Sequence, residues 1–224
     1  RYESCSVLAI DLSLRSLAYA ARKTEEFGLE NVTYLQADIL DLHRMDRQFD
    51  IVESSGVLHH MERPMDGWRE LANRLKVGGM MRIGLYSKLA RAHIVTIRSE
   101  IGALGADWKD LMLDSVRKNI FASDKTHHKK ILSSIDFYTR SAIRDLLFHE
   151  QEYLFSLPEI SDSLDELGLV FCGFENAEIV SEFLSQEFTI DDLCDLGKWN
   201  SFERRNPRIF SGMYQFWCQK TKTL

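Results

Sequence analysis

Residues 49–64 read FDIVESSGVLHHMERP. The run FDIVES (49–54) is apolar enough for a strand, and it ends on Glu53 and Ser54, with Ser55 next. A glycine and two histidines follow, and then Pro64, which lacks an N–H and can open a helix. A strand that runs through a polar loop into a helix is the unit of an alternating α/β chain. Upstream, SVLAI (6–10) is a short strand that ends at Asp11, and Ser13 can cap a helix in which Leu17, Ala18, Ala21, Thr24 and Glu25 recur at helical spacing. Gly28 stands where that helix should end. The stretch NVTYLQADILDL (31–42) holds a second strand over 32–35, running into Ala37 and Asp38. Downstream, a helix is expected from 64 to 75, and LKVGGMMRIGLY (75–86) turns at Gly78-Gly79 into a strand over 80–86. Strands separated by about 10 to 15 helical residues imply a doubly wound, mostly parallel sheet covered on both faces.

Beyond residue 86 the pattern turns helical. Helices are expected over 87–104, 106–121, 141–149 and 156–167, with another containing 130–134. No glycine lies between Gly105 and Gly168. The stretch is too long for a simple crossover, so it reads as an inserted helical cap. Strands return at 169–174 and 213–220. The expected organisation is therefore a core over 1–86, a cap over 87–167 and closing strands over 168–224.

Composition sets outer bounds. The chain has 224 residues, 45% apolar and 28% charged, which excludes a disordered or low-complexity polymer. Its net charge of −6 argues against a broad nucleic-acid or anionic-membrane surface. The four cysteines form no CxxC pair, and no apolar run is long enough for a span. The expectation is a cytoplasmic protein with reduced cysteines. His59-His60 and His127-His128 are adjacent pairs without zinc-ligand spacing, so no metal is expected.

In an open parallel sheet, ligands bind beyond the carboxyl ends of the strands. Asp11, Asp38 and the 53–55 group all stand there. An acid at that edge suits ribose hydroxyls, although Asp and Ser are equally good helix caps. Glu53 should lie in or at the end of a buried strand, where a carboxylate needs partners. It reads as a hydrogen-bond acceptor or base, or as a structural link to backbone amides. His59 and His60 are placed to act as bases, and Tyr86 to face an acceptor. Arg144 and His149 sit in RDLLFHE and could bind a polar or anionic acceptor, or face solvent.

The segments VLAIDLS, NVTYLQADILDL, FDIVESSGVLHHMERP and LKVGGMMRIGLY occur in an order and spacing that resembles the class I S-adenosylmethionine-dependent methyltransferases, from the second to the fifth strand of their Rossmann-like sheet. DFYTRSAIRDLLFHEQE and MYQFWCQK resemble a bacterial subgroup often joined to tetratricopeptide repeats. The resemblance implies that Asp11, with Leu12, binds the cofactor ribose and Asp38 the adenine amino group. It implies that the Ile39 N–H meets the adenine ring, Ser54 and Ser55 lie beside the methionine moiety, and Val57, Leu58 and His59 wall the sulfonium. The acceptor is expected to be a small molecule or protein side chain rather than nucleic acid, with no membrane partner. The family's first strand and Gly-rich turn have no counterpart here. The sheet should therefore show a gap, or the second family strand should pair directly with the fourth. An upstream domain of the same polypeptide is expected, and residues 1–224 alone should bind S-adenosylmethionine weakly. The rival readings are a non-catalytic scaffold with this fold and an NAD-dependent oxidoreductase, since Asp11 would equally suit the ribose of NAD.

Overall fold

The computed structural model describes residues 5–103, 113–148 and 152–222. Strand β1 (Val7–Asp11), helix α1 (Leu14–Glu26) and strand β2 (Val32–Gln36) form the first unit. The Ser13 hydroxyl accepts from the Ser16 N–H at the start of α1, and Gly28 at φ 66° follows its end, as the cap residues predict. Strand β3 (Phe49–Ser55) leads through a 3-10 turn (Leu58–His60) into α2 (Pro64–Arg74). Pro64 occupies the first turn of α2, and Trp68, Leu71 and Ala72 make its buried stripe. The buried Lys220 Nζ donates to the Ala72 and Leu75 carbonyls, at 2.7 and 3.0 Å, and so satisfies the end of that helix.

Strand β4 runs over Leu75–Leu85, longer than the expected 80–86. Phe49 pairs with Leu75 but Ile51 with Met80, so the Gly78-Gly79 feature is a bulge inside the strand rather than a turn before it. Gly78 takes φ 81° there. A Cβ on Gly79 would meet the Asp50 and Lys76 carbonyls at 2.9 Å. The later elements are α3 (Ala92–Gly102), α4 (Leu113–Phe121), α5 (Thr126–Ile131), α6 (Arg140–Phe148), α7 (Leu157–Glu166), β5 (Leu169–Phe174), α8 (Ala177–Leu184), α9 (Leu196–Arg205) and β6 (Tyr214–Lys220). Of the helix expected over 106–121, residues 106–112 lie outside the described residues.

The strands form two sheets. β1 and β2 pair in parallel, and the other four stand in the order β3-β4-β6-β5. β3 and β4 are parallel, while β6 runs against both of its neighbours. The expected gap is present: β1 and β3 are not hydrogen-bonded to each other, and the slot between them is lined by Leu8, Ile10, Phe49, Ile51 and Val52.

Two apolar cores result. One packs the four-stranded sheet against α2, α7 and α9, and includes Trp68, Ile83, Trp199 and Phe216. The other lies within α3 to α6, from Ile94 to Leu147. The segment expected as one cap over 87–167 therefore divides. Its first part has its own core, whereas Leu157, Ile160 and Leu164 of α7 join the core of the sheet. Among the described residues, no helix is long and apolar enough to cross a membrane.

Candidate active site

Two cavities open at the carboxyl edge of the strands. The larger, about 620 Å³, lies between the ends of β1, β2 and β3. Asp11, Leu12, Asp38, Ile39, Ser54, Ser55 and Val57 all line it, as do Glu53 and His60. The geometry merges the two readings of the acids. Asp11 Oδ1 accepts from the Ser13 N–H at 2.7 Å, and Asp38 Oδ1 from the Leu40 N–H at 2.9 Å. Each acid caps the turn that follows its strand, and the cap holds its carboxylate on the cavity wall. Ser54 is buried, and its Oγ has no hydrogen-bond partner among the described residues. Ser55 lies against Gly84 of β4, where a Cβ would come within 2.2 Å of the Ser55 hydroxyl. Only glycine permits that approach.

The smaller cavity, about 370 Å³, lies between the sheet edge and the helical part. Tyr86, Arg91, Asp136, Asp145 and Glu152 line it, together with His60. His60 is thus a wall common to both cavities. The Arg91 guanidinium sits 3.3 Å from the centroid of the Tyr86 ring and is paired to Glu152 at 2.8 Å. The other Glu152 oxygen pairs with Arg98 at 2.9 Å. The Glu152 side chain is 3% exposed and that of Arg91 8%, so this is a buried ion cluster whose geometry matters more than its count. Burial raises the Tyr86 phenol above its ordinary 10, against the opposing effect of Arg91, so at neutral pH it is a protonated hydrogen-bond donor.

The Tyr86 backbone is firmly placed. Its carbonyl accepts from the Phe155 N–H at 2.9 Å, and the Lys88 N–H donates to the Phe155 carbonyl at 2.8 Å. Ser87, the next residue, donates through its hydroxyl to Glu203 Oε1 at 2.6 Å, and the Tyr214 hydroxyl donates to the same carboxylate. The Ser87 Oγ also accepts from the Ala90 N–H, which starts the turn toward α3. Burial raises the Glu203 carboxyl above its ordinary 4.5. This network braces the strand end that carries Tyr86.

Several site expectations change. Glu53 is not buried: its side chain is 58% exposed beside the gap, with Arg82 at 3.7 Å. Among the described residues, the strand that should bury it has no neighbour on that edge. His59 is fully buried and lines neither cavity. The 3-10 turn directs its ring inward, 4.1 Å from that of Tyr86. Arg144 is exposed on α6 and lines neither cavity. His149 lies outside the described residues. Arg91, Asp136, Asp145 and Glu152 were not foreseen. Glu152 closes the quoted segment DFYTRSAIRDLLFHEQE, but its partner Arg91 is 61 residues away and no local spacing links them.

Residues 1–83 match a family model described as a methyltransferase domain. The match takes in 83 of the 224 residues, and over that stretch the chain is similar to that family. Its α/β fold is the Rossmann-like one of those enzymes, in keeping with the resemblance drawn from the strand motifs. The protein syc1184_c of Synechococcus sp., described as uncharacterized, is 26% identical over 220 residues, covering 92% of this chain and 53% of its own length. A malonyl-[acyl-carrier protein] O-methyltransferase of Marinomonas sp. is 32% identical over 119 residues, 49% of this chain and 42% of that protein. The chain thus spans about half the length of these curated relatives. Among solved structures, PKMT2 from Rickettsia typhi in complex with AdoHcy has a TM-score of 0.68 at 14% identity, covering 99% of this chain and 45% of that one. At that identity the likeness is one of fold, and its coverage takes in the helical part as well as residues 1–83.

Proposed function

We propose that the protein is an S-adenosylmethionine-dependent methyltransferase that takes its cofactor in the larger cavity and its methyl acceptor in the smaller one. The observation that carries this reading is the common wall: His60 lines both cavities. The donor-side residues fit the cofactor. Asp11 and Asp38 offer oriented carboxylates to hydroxyl and amino groups, and the buried Ser54 hydroxyl offers an unused donor and acceptor. The volume suits a ligand of that size. When bound, the cofactor supplies an activated methyl carbon on its sulfonium.

The protein's own contribution is alignment and exclusion of water rather than strong acid–base work. Tyr86, under the Arg91 guanidinium, presents a protonated phenol to an acceptor. His60 is the group positioned to accept a proton from an acceptor that is protonated at neutral pH. We assign that role to neither His59, which is fully buried and lines neither cavity, nor Glu53, which lines the larger cavity and not the smaller. A small molecule or protein side chain suits an acceptor cavity of about 370 Å³ and the net charge of −6 better than nucleic acid.

Titration calorimetry of the intact protein with S-adenosylhomocysteine and with NAD separates this reading from its rivals. Binding of the first alone is expected. NAD binding would point to an oxidoreductase, and binding of neither to a scaffold.

A further inference from the structure

We propose that Glu100, His127 and His128 bind one divalent transition-metal ion of the zinc class, joining α3 to α5. The inference stands apart from methyl transfer. His127 Nε2 lies 2.9 Å from Glu100 Oε1, and His128 Nε2 lies 2.8 Å from Oε2. All three ligand atoms fall within 4.8 Å of one another. A tetrahedral site with metal–ligand bonds near 2.1 Å needs separations of about 3.4 Å, so closure takes side-chain shifts of roughly an ångström. Two imidazoles and one carboxylate match zinc, cobalt or nickel rather than magnesium or calcium. Glu100 is 34% and His127 24% exposed, which leaves water access for a fourth ligand.

The two imidazole–carboxylate hydrogen bonds occupy the ligand atoms, and a bound ion would replace them. His128 is buried, and its Nδ1 has no hydrogen-bond partner among the described residues. In the ligating tautomer each ring carries its proton on Nδ1 and presents the Nε2 lone pair to the ion. Lys125 Nζ, 2.8 Å from Glu100 Oε1, is the resident competitor that an ion must displace. The adjacent histidines alone lack ligand spacing. The third ligand arrives from 27 residues upstream on another helix, which is why the motif was invisible in the sequence.

The test is titration of the metal-stripped protein with Co²⁺, read by visible d–d absorption, followed by displacement with Zn²⁺. One equivalent should bind, and Zn²⁺ should raise the melting temperature. Glu100→Gln and His127→Ala should each weaken binding by about tenfold or more, with circular dichroism confirming the fold. Lys125→Ala, which removes the competing cation and leaves all three ligands in place, should strengthen it. Absence of a cobalt band in folded protein would overturn the proposal. So would equal affinity in a folded His127→Ala/His128→Ala variant.

Discussion

The two sheets are built from similar sequence and meet different fates. VLAID and VTYLQ, the strands β1 and β2, contain no buried residue, and α1 beside them buries only Leu17. In the four-stranded sheet, Met81, Ile83, Leu85, Phe216 and Cys218 are wholly buried. A strand's composition states what it can bury, and its neighbours decide what it does bury. β4 has a partner on each side, whereas β1 has one partner and an open edge. Ile51 on β3 faces the same gap and is 56% exposed.

Substitutions should expose that contrast. Phe216→Ala, in the closed sheet, should cost about 3–5 kcal/mol, read from urea unfolding. Val7→Ala, in the open sheet, should cost about 0.5 kcal/mol or less. Equal losses would mean that both sheets share one core. Next in size, Glu152→Gln leaves Arg91 and Arg98 facing each other without their shared carboxylate and should cost about 3 kcal/mol. A loss near zero would show the cluster to be solvated.

A smaller effect belongs to Glu203, whose pKa is raised in the folded state by burial. A raised carboxyl binds its proton more tightly in the folded protein, so its contribution is present at low pH and fades as pH rises through the folded value. Glu203→Gln should therefore flatten the decline of stability that the parent shows as pH climbs above 4.5. An unchanged profile would place the pH dependence elsewhere. Smallest of all, Ser54→Ala should alter the stability of the free protein by about 0.5 kcal/mol or less, because the hydroxyl it removes has no partner among the described residues. The same substitution should still weaken cofactor binding. A large stability loss would mean that Ser54 serves the core rather than the cavity.

The succession of strands along the chain, the cap residues Ser13 and Gly28, and the gathering of Asp11, Asp38, Ser54 and Ser55 at one edge were all legible in the sequence, because each depends on local pattern and on the geometry of an open sheet. The burial of His59 was not, since a three-residue 3-10 turn decides which of two adjacent rings faces inward. Nor was the exposure of Glu53, which follows from an edge that no strand of the described residues covers rather than from its own strand. The bulge at Gly78 was misread as a turn because both use glycine at positive φ. Long-range pairs such as Arg91 with Glu152, or Ser87 with Glu203, leave no trace in local spacing.

The central claim is that the open edge at β1, β2 and β3 holds the cofactor. Paired titration calorimetry of S-adenosylhomocysteine against the intact protein and its Asp38→Ala variant tests it most directly. Loss of the carboxylate that lines the cavity should weaken binding by about 1–3 kcal/mol. Unchanged affinity in the variant would contradict the account.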